Sequence, residues 1–138
     1  MNYAKFEELN GIQLGVFTAD VAKRNDVGDD ILTYYYQRKS NLDNPHLEMI
    51  ILLLGKLGTP TALNEAASFL DHPVKHVRYQ AAQVITNATS LDENAMAKVI
   101  GILSNPPYPD DIIKIEDALD YAGTEKARAL VARFRELP

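Results

Sequence analysis

Leu54-Gly55-Lys56-Leu57-Gly58-Thr59-Pro60 opens the stretch that decides how this chain reads. Asp71-His72-Pro73 divides that stretch, and Val77-Arg78-Tyr79-Gln80-Ala81-Ala82-Gln83-Val84-Ile85 follows. Gly58 stands where a helix ends, and Thr59-Pro60 stands where the next begins, since a hydroxyl can cap and proline suits the first turn. Ala62, Leu63, Ala66, Phe69 and Leu70 trace one apolar face at helical spacing. Val77, Ala81, Val84, Ile85 and Ala88 recur at i, i+4, i+7, i+8 and i+11, which predicts a further helix after the Asp71-His72-Pro73 turn. Small residues fall where two helices must approach closely.

Working outward, helical signals dominate and no strand alternation runs over a useful length. Tyr3 to Leu9 is amphipathic, with Phe6 and Leu9 as anchors; Asn10-Gly11 kinks or ends it, and Ile12 to Lys23 continues as helix. Asn25 to Gly28 is turn-like, and Asp29 and Asp30 carry negative charge into the start of a helix over Ile31 to Lys39. After a break at Ser40 to Asn44, Asn44 is expected to cap a helix with Pro45 at its first position, running to Leu57. Ser90 is expected to cap another, with Met96, Val99, Ile100 and Leu103 facing inward. Beyond the stiff Asn105-Pro106-Pro107-Tyr108-Pro109 loop, Ile112, Ile113, Ile115 and Leu119 form a seventh or eighth helix. Ala127, Leu130, Val131 and Phe134 form the stripe of the last one.

A degenerate repeat supports this reading. A shift of 65 residues places Leu57-Gly58-Thr59 on Ala122-Gly123-Thr124, Leu54 on Leu119, Ala62 on Ala127, Ala66 on Val131 and Phe69 on Phe134. Half that shift is about one helix pair with its turns. The expectation is an all-α α-solenoid of stacked antiparallel helix pairs, about 7–9 helices in a single domain, which the resemblance given next makes HEAT-like. Within it, residues 1–43 are irregular N-terminal helices and 44–138 are the regular pairs.

From Leu54 to Ile85 the residues resemble the short HEAT-type repeats also found in phycobilisome-lyase-like proteins. That pattern has Leu-Gly, an Ala/Leu-rich helix, an Asp-Pro-type turn, then Val-Arg and paired alanines. The matching positions are Leu54-Gly55 and Leu57-Gly58, Asp71 and Pro73, Val77-Arg78, and Ala81-Ala82. The resemblance implies structural hydrogen bonding near the turns by Asp71 and Arg78. It does not extend over residues 1–43.

Composition narrows the function. The 138 residues are 46% hydrophobic, enough for a core, and carry a formal charge of −5 with no cysteine. Disulfides, thiolate metal sites and a Cys nucleophile are excluded. The acidic balance argues against sequence-independent nucleic-acid binding, which needs Lys and Arg to neutralise phosphates. The longest apolar run, Met49 to Leu54, is far too short to span a bilayer, and residues 1 to 8 show no signal-peptide pattern; a cytoplasmic location is expected, with no membrane contact.

Motifs for chemistry are absent. The seven glycines build neither a phosphate loop nor a dinucleotide fingerprint, and Ser40, Ser68, Ser90 and Ser104 lack a nucleophile-elbow context. His72 and His76 have metal-ligand spacing, but Pro73 separates them and no carboxylate pair completes a shell, so turn capping is the expected role. Neither catalytic residue, nor cofactor, nor metal is assigned.

Two features point to recognition. Tyr34-Tyr35-Tyr36 sets three rings about 100° apart on a helix, so at least one should be exposed, and exposed tyrosine is enriched in interface hot spots. From Thr89 to Glu125 eight acids (Asp92, Glu93, Asp110, Asp111, Glu116, Asp117, Asp120 and Glu125) face only Lys98 and Lys114. They form either a functional patch or a solvated face whose acids suit helix starts. The expectation is a non-catalytic protein-binding module with a basic partner. In its sharper form it is an immunity protein that neutralises a nuclease-type bacterial toxin, by likeness of size, charge and fold class. The alternatives are a HEAT-like, glycosylase-type nucleic-acid protein, or a lyase acting on a pigment or small ligand.

Overall fold

The computed structural model describes residues 1–88, 91–104, 107–108, 129 and 132. Among these the chain is all helical, with seven helices and no strand. They are α1 (Tyr3–Glu8), α2 (Gly11–Lys23), α3 (Asp30–Arg38), α4 (Asn44–Leu57), α5 (Pro60–Ala67), α6 (Lys75–Asn87) and α7 (Glu93–Ser104). The helices expected beyond Tyr108, and with them the second copy of the 65-residue repeat, lie outside the described residues.

Four helices start by one device, a side-chain oxygen that accepts the backbone N–H three residues on. Asn2 accepts from Lys5, Asp43 from His46, Thr59 from Ala62 and Asp92 from Ala95. Two of these correct the expected caps. Asp43, not Asn44, caps α4, because its carboxylate in extended backbone reaches the His46 N–H at 2.9 Å. Asp92 takes the role at α7 that was expected of Ser90, which lies outside the described residues. At the other end of α4, Gly58 adopts φ +69°, a left-handed geometry that a side chain disfavours, and its N–H closes on Leu54 O at 3.0 Å.

Helix α4 is the wall between two apolar clusters. Ile50, Leu53 and Leu54 join Phe6, Leu14, Val21, Ile31, Tyr34 and Tyr35 from α1, α2 and α3. Leu47 and Ile51 join Leu63, Ala66, Val77, Ala81, Ile85 and Val99 from α5, α6 and α7. An apolar run with no polar side, Met49 to Leu54, is what a helix buried on two faces requires. Leu42 and Phe69 pack against both clusters. Helix α4 meets α2, α3, α5 and α6, while α5 also meets α6 and α7.

The inward stripe of α7 is Ala95, Val99 and Ile102, with Met96 and Ile100 half-buried beside it. Of the expected stripe, Val99 is buried and Met96 and Ile100 are half-buried against the core, while the side chain of Leu103 lies outside the described residues. Arg78, in the first turn of α6, is buried, and its Nη1 donates back to the carbonyls of His72 and Pro73 in the preceding turn, each at 3.0 Å. Its guanidinium lies 3.7 Å from the ring centre of Tyr108. Asp71 accepts from Lys98 Nζ at 2.9 Å, joining the turn to α7. No described helix is long and apolar enough to cross a membrane.

Candidate partner-binding surface

The three consecutive tyrosines of α3 separate as helical geometry demands. Tyr34 points into the α1 side: its ring stacks on Tyr3 with centroids 4.4 Å apart and meets Phe6 edge-on at 6.1 Å. Tyr35 is buried and meets Phe69 edge-on. Tyr36 turns outward and is 46% exposed, one of the few large apolar side chains on the described surface. Two rings hold the core and one is left to solvent.

Every hydroxyl in this row ends on a carboxylate. Tyr34 donates to Glu7 Oε1 at 2.9 Å, Tyr35 to Glu65 Oε2 at 3.0 Å and Tyr36 to Glu65 Oε1 at 2.9 Å. Tyr3 donates to Asp30 in the same manner. Burial and then the carboxylate contact push the Tyr3 and Tyr34 phenols well above their ordinary range. Burial and the Glu65 charge do the same to Tyr35. Tyr36 is raised chiefly by its hydrogen bond to Glu65. The phenols therefore stay neutral donors, and each hydrogen bond fixes the carboxylate oxygen it reaches. Glu7 also meets Arg38 at 3.4 Å. Glu65 and Asp30 form no ion pair with a described residue, although Lys39 Nζ lies 5.6 Å from the Tyr36 ring centre and 5.7 Å from that of Tyr35.

Beside this row lies a polar cleft of about 260 Å³ bounded by Glu7, Arg38, Asn41, Leu42, Asp43 and His46. His46 forms its floor. The ring is buried, with Nδ1 2.6 Å from Asp43 Oδ1 and Nε2 3.0 Å from the Phe6 carbonyl oxygen. Both partners are acceptors, and the tautomer decides which ring nitrogen donates. Burial alone would raise the Asp43 carboxyl, but the His46 backbone N–H and ring hold it below the usual carboxylate range. The position of His46 in the first turn of α4 does not by itself announce its burial. An Asp three residues before a His at a helix start is the only local trace, and the Phe6 carbonyl is 40 residues away.

A second concavity, an open groove of about 290 Å³, runs over α4 between α2 and α6 and is lined by Leu52, Gly55, Gln83 and Val84, among others. Among the described residues its one charged lining side chain is Lys56.

The acidic positions picked from sequence fare differently. Asp92 has a fixed local role: besides capping α7 it accepts from Asn64 Nδ2 at 2.7 Å. Glu93 is exposed in the first turn of α7. Asp110, Asp111, Glu116, Asp117 and Asp120 lie outside the described residues. His72 sits at the turn, where its Nδ1 accepts from the Val74 N–H at 3.1 Å. No group of three or more His, Asp or Glu among the described residues could hold a metal ion. No family model, curated protein or solved structure matches the chain.

Proposed function

We propose that this chain is a non-catalytic protein-binding module whose partner presents a basic surface. The observation that carries the reading is Glu65, held by the neutral phenols of Tyr35 and Tyr36 beside the exposed Tyr36 ring. A carboxylate fixed by O–H donors rather than by a cation keeps its field and needs no reordering when a Lys or Arg arrives. Tyrosine beside it supplies contact area at low entropic cost. Complementary charge of this kind raises encounter rates by about 10- to 1000-fold at low salt.

The wider frame is a HEAT-like solenoid of antiparallel helix pairs. Its support is the pattern in which α4 meets α5 and α6 while α5 meets α6 and α7, as layered hairpins do. A cytoplasmic immunity protein covering a basic nuclease toxin is the specific form we favour, with Asp110, Asp111, Glu116, Asp117 and Asp120 extending the acidic surface. The test is affinity capture from the native cell on the immobilised full chain. The expected result is retention of a basic protein, release by salt, and weaker retention on Glu65→Gln. Absence of any basic ligand, or binding that ignores salt and survives charge reversal of Asp110, Asp111 and Asp117, overturns the proposal.

A further inference from the structure

One cation already lies against the tyrosine face of α3, and it belongs to the chain itself. Lys39, at the C-terminal end of α3, stands one turn after Tyr35 and Tyr36, and helical side chains lean back toward the N-terminus. Its Nζ rests 5.7 Å from the centre of the Tyr35 ring and 5.6 Å from that of Tyr36. The two rings are tilted by 56° with centres 5.3 Å apart, so they share one cation between them. Lys39 is exposed and forms no ion pair with a described residue, although Glu65 sits at the hydroxyl end of the same two rings. A hydrated ammonium over a surface ring is held weakly.

Glu65 is not used up by its phenols. Each of its oxygens accepts one O–H, at 2.9 Å and 3.0 Å, and a carboxylate oxygen has two lone-pair directions. One direction on each oxygen is left over, which is what the paired N–H groups of a guanidinium require. We infer that this notch takes an arginine side chain of the partner, its guanidinium against the exposed Tyr36 ring and its N–H groups on Glu65, and that Lys39 is a resident plug that swings aside to admit it. The inference rests on the reading of a basic partner given above and names the side chain that the surface receives. Arginine suits the notch better than lysine, because a guanidinium is planar, sheds its water more readily and donates in a fork, whereas an ammonium is a compact, strongly hydrated point charge. Displacing Lys39 costs little, since its ammonium moves from a surface ring into water. The sign of the Lys39 effect separates this account from its rival: a plug lowers affinity, whereas a lysine that merely props the rings in place raises it.

The test titrates the full chain at low salt with a capped glycine peptide carrying one central arginine, followed by the NMR shifts of the Tyr36 ring and the Glu65 amide. The expected dissociation constant is on the order of millimolar. Lys39→Gln should tighten binding at least about threefold, while Lys23→Gln, an equal loss of charge at an exposed position on α2, should change it far less. A gain in affinity cannot come from a damaged fold. Tyr36→Leu and Glu65→Gln should each weaken binding at least about threefold, and so should lysine in place of the arginine of the peptide. The inference is overturned by a peptide that leaves Tyr36 and Glu65 unshifted, by a Lys39→Gln affinity that is unchanged, lowered or matched by Lys23→Gln, or by equal binding of a lysine or leucine peptide. Affinity capture separates the two readings. A basic protein retained equally by Tyr36→Leu and the parent chain overturns the arginine notch and leaves the partner reading standing. The peptide results above with no basic protein retained support the notch and overturn the partner reading.

Discussion

Gly55 of α4 lies directly against Val84 of α6: a Cβ on Gly55 would sit 2.7 Å from Val84 Cγ1 and 2.8 Å from its Cγ2. Valine is stiff about χ1, so its methyls cannot swing aside without leaving their rotamer. The glycine is needed for what its side chain would displace.

Gly55→Ala is therefore expected to destabilise the fold by about 1–3 kcal/mol through overpacking, against a helix-propensity gain of about 1 kcal/mol. Urea denaturation of Gly55→Ala, Val84→Ala and the double variant forms the test. The double variant should lose less than the sum of the singles, because removing the valine methyls clears the space. Strict additivity would show that the two residues do not clash.

His46 joins α4 to α1 through the Asp43 carboxylate and the Phe6 carbonyl, and its ring meets that of Phe6 edge-on at 5.0 Å. His46→Ala leaves a buried acceptor without its donor, which costs about 1–3 kcal/mol in addition to any cavity. Amide exchange in α1 should quicken more than in α5 or α6. Equal acceleration in all three helices would mean that the histidine supports the core at large and not the α1 junction.

Alkaline pH should unfold the protein earlier than its helix content implies. The Tyr3, Tyr34 and Tyr35 phenols are raised in the folded state, so their contribution is complete below the unfolded value of about 10 and declines as pH rises above it. Urea midpoints measured between about pH 9 and pH 12 should fall, and Tyr35→Phe should fall less steeply. A Tyr35→Phe profile parallel to that of the parent chain would remove Tyr35 from this account.

Acid acts through Asp43 with the opposite sign. Its carboxyl is lowered in the folded state, so its contribution is present above the ordinary carboxylate value of 3.8 and is lost as pH falls through the folded one. Asp43→Asn keeps a capping oxygen but cannot titrate. Its stability should vary less with pH below about pH 4 than that of the parent chain, and identical acid profiles would count against the Asp43–His46 link.

Much of α4, α5 and α6 was legible because their signals are local. Pro45, Thr59-Pro60 and Gly58 are chemical punctuation that acts within one turn, and the apolar period of α6 is uninterrupted. The caps slipped by one residue at Asp43 and were displaced to Asp92, where two polar residues compete and only backbone angles choose between them. In α7 the spacing marked Met96, Val99 and Ile100 as inward but did not point to Ala95 and Ile102, which are more deeply buried than Met96 and Ile100. Among the tyrosines, spacing required an exposed ring but did not say which. Tyr36 was settled by where α1 and α5 stand, because Glu7 and Glu65 are 27 to 30 residues from the rings they hold.

By itself the sequence determined a helical chain, the order of its middle helices, the absence of thiol chemistry and the acidic balance, all consequences of composition and of interactions spanning four residues or fewer. The tertiary structure alone decided that α4 is buried on two faces, that His46 is an interior joint, that phenols hold Glu7, Glu65 and Asp30, and that Tyr36 rather than Tyr34 or Tyr35 turns outward. These depend on which distant segments meet, and a pattern of period 3.6 states only that a face is apolar, never what lies against it.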